Sequence, residues 1–84
     1  MDEEFEVFYE LCDQGLFRKL YTGAWETVPG KRIIALHNDE RWRVMIFFDS
    51  ITDKRWRTAQ CIRVEDGTVR DISLRYLQQI VEPE

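Results

Sequence analysis

From residue 41 onward the chain carries seven arginines, Arg41, Arg43, Arg55, Arg57, Arg63, Arg70 and Arg75, interleaved with Trp42, Trp56 and Tyr76. A guanidinium fork grips phosphate or carboxylate oxygens, and an indole face stacks on a base. This combination therefore points to an anionic ligand or a single-stranded nucleic acid. Twice the order is Arg-Trp-Arg after an acid, in Asp39-Glu40-Arg41-Trp42-Arg43 and again in Asp53-Lys54-Arg55-Trp56-Arg57. If these are two strands lying side by side, Arg41, Arg43, Arg55, Trp56, Arg57 and Arg70 form one ligand-binding surface. If instead both Trp side chains turn inward, the arginines are solvated cross-strand partners of nearby acids, each pair worth roughly 0.2–1 kcal/mol. A protein-binding surface would use the same residue types, since Trp, Tyr and Arg dominate binding hot spots.

Other chemistries find no support. His37 is the sole histidine and stands at a turn. Together with Cys12 and Cys61 it falls short of the four paired ligands of a structural zinc site. The four glycines stand singly, so there is no phosphate-cradling loop. Asp49, Asp53, Asp66 and Asp71 neighbour turns, where a carboxylate caps backbone amides. The sequence thus assigns no catalytic residue, metal ligand or cofactor and implies a non-enzymatic binding or regulatory module. A second class of function rests on Glu3, Glu6, Glu10 and Asp13. As a row on one helix face they could imitate phosphates or dock on a basic protein partner, as in a phage-type or mobile-element inhibitor; an open strand edge would serve the same class.

The elements that position these groups follow from periodicity. Over residues 2–14, Phe5, Phe8, Tyr9 and Cys12 recur at helical spacing, continued by Leu16 and widened by Val7 and Leu11, with the acids on the other side. Asp2 suits the first amides and Gly15 the left-handed stop. After Gly15 the period becomes two. Strands are expected over 16–22, 32–37 (after a Pro29-Gly30 turn), 41–49, 56–65 and 69–74. The turn between the second and third is Asn38-Asp39-Glu40. Trp42, Val44, Ile46 and Phe48 fall on one face of the third strand, with Arg41, Arg43, Met45 and Phe47 on the other. A phase change between Ala59, Cys61 and Ile62, Val64 implies a bulge in the fourth. Asp66-Gly67 signals a two-residue hairpin, and Leu77, Ile80 and Val81 a short helical turn or strand end. The expected fold is α+β and mainly β, with an N-terminal helix followed by a five-stranded antiparallel SH3-like or Sm-like barrel or strongly curled sheet. It forms a single domain over 1–84, with the helix at 2–14, the barrel at 16–81 and an acidic tail at 82–84.

Trp56-Arg57-Thr58-Ala59-Gln60-Cys61 followed by Asp66-Gly67-Thr68-Val69-Arg70-Asp71-Ile72-Ser73-Leu74 resembles the end of a WYL domain. There a Trp-led strand with a small residue three positions on precedes a hairpin and an Arg-x-aromatic-x-Leu strand. Tyr21-Thr22-Gly23 is similar to that family's first strand. Arg57 and Thr58 stand where Tyr and Leu give the family its name, and Ile72 replaces its aromatic. The resemblance implies a small Sm-like or SH3-like barrel and ligand sensing; Tudor-type barrels share the strand pattern.

The net charge of −4 conceals a division: residues 1–30 carry −5, 31–81 carry +3 and 82–84 carry −2. Polyelectrolyte binding to duplex DNA is disfavoured by that total, while a local basic face is not. No run approaches 18 apolar residues, which argues against a membrane span, and Met1-Asp2-Glu3-Glu4 has the wrong charge for a secretory leader. With two cysteines outside any paired motif, read as reduced core residues, the expected location is cytoplasmic, as a monomer or homodimer.

Overall fold

The computed structural model describes residues 3–77 and 79–81. Among these residues helix α1 spans Glu3–Asp13 and is followed by seven strands, β1 Phe17–Tyr21, β2 Ala24–Thr27, β3 Ile34–His37, β4 Glu40–Phe48, β5 Thr58–Arg63, β6 Val69–Ser73 and β7 Gln79–Val81. A 3-10 turn, Leu74–Tyr76, separates the last two. The architecture is α+β and mainly β, as the change of period implies, but the sheet is open and not closed into a barrel.

Helix α1 buries Phe5, Phe8 and Leu11, while Glu6, Glu10 and Asp13 face solvent. Val7, expected to widen the apolar stripe, is 45% exposed. The helix ends in a Schellman arrangement: the Leu16 amide donates to the Leu11 carbonyl (3.0 Å), the Gly15 amide to that of Cys12 (3.0 Å), and Gly15 takes φ +78°. Gly15 meets the left-handed geometry without a Cβ penalty. The expected cap by Asp2, the side chain of Glu3 and the tail at 82–84 lie outside the described residues.

β4 is shared by most of the sheet. On one edge its second half pairs with β2, matching Ala24 to Phe48 and Glu26 to Ile46, and its first half pairs with β3, from Ile34 and Arg43 to His37 and Glu40. Its other edge carries β5, and β6 pairs outside β5. β1 extends β2, and β7 extends β3. Five strands were expected. The first of them, at 16–22, is β1, and after Gly23 the chain returns as a second arm, β2, where none was expected; the short helical turn or strand end expected around Leu77, Ile80 and Val81 is a 3-10 turn followed by β7. Asn38 (φ 52°) and Asp39 (φ 63°) join β3 to β4 in a two-residue turn with both central residues left-handed, which matches the twist of the arms. The β5–β6 hairpin is longer than the two residues expected. Arg63 donates to the Thr68 carbonyl (2.8 Å), Gly67 donates to that of Arg63 (2.8 Å), and four residues span the link.

The expected bulge lies in β4 instead of β5. Val44 pairs with Cys61 and Ile46 with Gln60, so Met45 is the extra residue. Phe47 therefore joins Trp42 and Val44 on the core face, and Phe48 falls on the face of Arg41 and Arg43, the reverse of strict alternation. The core packs Phe8 against Phe47 (centroids 5.0 Å) and Phe17 edge-on to Phe47 (4.9 Å), with Trp42, Ala59, Cys61, Ile72 and Leu74 around them. Each fully buried ring contributes roughly 1.5–3 kcal/mol.

Candidate functional site

The alternation along β4 puts Arg41 and Arg43 on the sheet face opposite the core. Leu36 of β3 pairs with Arg41, and Ile34 with Arg43. On the β5 side Ile62 pairs with Arg43 and Val69 of β6 with Ile62, giving a row of Ile34, Arg43, Ile62 and Val69. Val64 donates its amide to the Arg41 carbonyl (3.0 Å) and extends the neighbouring row. Val69 is 55% and Val64 40% exposed. Arg43 is half-buried, and its Nε is shielded from solvent without a hydrogen-bond partner. Arg41 is exposed and makes no ion pair among the described residues. The Cα atoms of these two arginines, neither in an ion pair among the described residues, stand roughly 7 Å apart along the strand, with aliphatic side chains on both flanks.

The other expected members lie elsewhere. Arg55, Trp56 and Arg57 are not on a strand but in the link between β4 and β5, at the end of β4 remote from Arg41, about 20 Å away at strand rise. Arg55 lies over the Phe48 ring (4.0 Å), donates to the Tyr21 hydroxyl (3.4 Å) and faces Asp53 (3.5 Å). Arg57 takes φ +68° and stacks on Trp56 (4.2 Å). Its amide donates to the Phe48 carbonyl (3.1 Å) and its carbonyl accepts from Leu74 (2.8 Å), contacts that hold this unusual backbone. Arg70 is exposed on β6, paired with Cys61 and so on the core-bearing face. The two Arg-Trp-Arg segments are not side-by-side paired strands.

Nor do the indoles face out together. Trp42 is 1% exposed in the core, under the Arg63 guanidinium (4.9 Å) and against His37 (6.2 Å). Trp56 is half-buried against the core with one face taken by Arg57. Neither indole therefore offers a stacking platform for bases on the Arg41–Arg43 face. Arg63 is engaged by Asp66 (2.9 Å) and Glu40 (3.4 Å). Asp66 is held below the usual carboxylate range by the amide and hydroxyl of Thr68, with Arg63 adding to the effect.

Beside Arg41 a cavity of about 320 Å³ is lined by Asp39, Glu40, Arg41, Arg63, Val64 and Glu65. Its carboxylates outnumber its guanidiniums, so an anion would not enter it. Neither cysteine suits nucleophilic work: burial pushes the Cys12 thiol up to about 11 and the Cys61 thiol up to about 12, leaving both protonated at neutral pH.

A polar group the sequence treated only as a turn cap ties the helix to the sheet. One carboxylate oxygen of Asp49 accepts from the Tyr9 hydroxyl (2.9 Å) and from the Trp25 indole N–H (3.0 Å). The acid just past β4 and the Tyr on the apolar helix stripe were visible singly, and only tertiary structure joins them. Comparison with family models, with curated proteins and with solved structures gave no match.

Proposed function

We propose that the protein is a non-enzymatic binding module that takes an anionic ligand, in the form of an acidic protein segment, on the sheet face of Arg41 and Arg43. The observation that carries this is the half-buried Arg43, which, like the exposed Arg41 two residues away, makes no ion pair among the described residues. A carboxylate brought to these guanidiniums would gain charge-assisted hydrogen bonds. The exposed Val64 and Val69 beside them favour a segment that mixes carboxylates with apolar side chains. Single-stranded nucleic acid fits this face less well, because the indoles that would stack on bases are turned inward or covered.

Titration of the labelled chain with a Glu- and Leu-rich peptide, and separately with a short oligonucleotide, at two salt concentrations tests this. The peptide is expected to bind, to weaken with salt and to lose affinity by about tenfold or more in Arg43→Ala. Equal binding by Arg43→Ala would refute the site, and tighter binding of the oligonucleotide would replace the ligand class. A second reading rests on Glu6, Glu10 and Asp13, exposed on α1 without an ion pair among the described residues, beside the exposed Val7. It supports docking of a basic protein partner. Reversing all three acids to Lys should abolish binding of a Lys-rich peptide, and retained binding refutes that use of the helix.

A further inference from the structure

We infer that the open edge of β6 accepts an antiparallel strand from a partner protein, one that presents a basic residue opposite Asp71 and an acidic one opposite Arg70. β6 pairs only with β5, leaving its second edge unpaired among the described residues. The hydrogen-bond phase fixes which groups are free. Arg63 donates to the Thr68 carbonyl and Leu74 to that of Arg57, and the register pairs Cys61 with Arg70 and Ala59 with Ile72. In an antiparallel ladder alternate residues point their amides and carbonyls the same way. Thr68, Arg70, Ile72 and Leu74 therefore face β5, and the N–H and C=O groups of Val69, Asp71 and Ser73 point out along the edge. Val69, Arg70 and Asp71 are all exposed, so nothing described covers the strand there.

A second copy is a poor occupant. Two-fold pairing of β6 with itself joins residues of like phase, and the two registers centred on the strand set Asp71 opposite Asp71 or Arg70 opposite Arg70. Like charges directly opposite are destabilising. Those charges discourage self-association at an otherwise exposed edge. They also define the complement. A partner strand running antiparallel reads Lys opposite Asp71, then Glu opposite Arg70, then an apolar residue opposite Val69. Backbone bonds supply the affinity and these side chains the selectivity. The edge borders the Arg41–Arg43 face but uses none of its guanidiniums, so the inference stands apart from the anion-binding reading.

The test is an amide-resolved NMR titration of the full chain with an end-blocked peptide, Thr-Val-Lys-Glu-Val-Thr, and with its counterpart in which Lys and Glu are exchanged. The first peptide should shift the amides of Val69, Asp71 and Ser73 and slow their hydrogen exchange. The exchanged peptide should bind about tenfold more weakly, because two attractive cross-strand pairs become repulsive. Asp71→Pro removes an outward N–H, which an edge strand tolerates, and should abolish binding with the fold intact. Should that variant fail to fold, Asp71→Lys carries the test, since it must raise affinity for the exchanged peptide relative to the first. Absence of binding, shifts confined to other amides, or equal affinity for both peptides would each overturn the inference.

Discussion

Removing the Asp49 carboxylate should loosen the helix from the sheet, and the size of the effect follows from two distances. In Asp49→Ala the Tyr9 hydroxyl (2.9 Å) and the Trp25 indole N–H (3.0 Å) both lose their acceptor. Hydrogen bonds to charged groups contribute about 1.5–3 kcal/mol, and water reaches this half-buried cluster, so the lower end of that range applies. A loss of about 2–3 kcal/mol is expected. For a domain of 84 residues this lowers the thermal midpoint by roughly 10–20 °C. Tyr9→Phe removes one bond and should cost about 1 kcal/mol, and Asp49→Asn, which keeps an acceptor, a similar amount. Urea denaturation of the two single variants Tyr9→Phe and Asp49→Ala and of their double variant gives the coupling energy, expected near 1 kcal/mol. The same carboxylate acts on the Tyr9 phenol, which burial first, then the hydrogen bond and charge of Asp49, push up to about 12. In Asp49→Asn its ultraviolet titration should move back toward the ordinary value. Additive single variants, or a Tyr9 titration unmoved by Asp49→Asn, would refute the tie.

Three further expectations concern the sheet and core. Gly23→Ala should cost about 2–4 kcal/mol, because a Cβ there would stand 2.6 Å from the Ser50 Cβ on a backbone at φ +96°; Gly67→Ala, with open space at φ +77°, should cost only about 1 kcal/mol in the same urea titration. Trp42→Ala should cost about 3–5 kcal/mol, whereas Trp42→Phe keeps a ring and deletes an indole N–H that is buried without a partner, so calorimetry should show a loss nearer 1 kcal/mol. Alkali should unfold the protein. Cys12, Cys61 and Tyr9 all ionise later in the folded chain than in the unfolded one, so between about pH 9 and 12 the unfolded state has released protons the native state still holds. The stability these groups contribute is complete below that window and falls as pH rises through it, and Cys61→Ala should flatten the decline.

Helix α1, the Pro29-Gly30 turn and most of the strands were legible because each leaves a local periodic or turn signal. The type of face β4 offers was legible too: arginines on one side and Trp42 and Val44 on the other. What escaped depends on pairing. β2 is four residues long, with Ala24 its one fully buried side chain, so it has no alternation to read. The bulge at Met45 is a mismatch between two strands, and a single strand does not record it. The echo of Arg-Trp-Arg misled for a related reason. Its first copy lies within a strand and its second in the preceding link, where the left-handed Arg57 interrupts the extended backbone before Thr58. Equal spelling therefore produced a core indole in one case and an Arg-covered one in the other.

The extra residue in β4 makes length, more than chemistry, the sensitive variable of that strand. Exchanging Met45 for another side chain leaves the offset intact. Excising it would convert the ladder to regular pairing, and one part of the strand would then have to rotate by half a turn. Either Trp42 and Val44 would be expelled to where Arg41 and Arg43 now stand, or Phe47 would trade places with Phe48 and leave Phe8 and Phe17 without their partner. A codon lost here is thus a change of topology for the side chains, and no compensating substitution at a single neighbouring position could repair it.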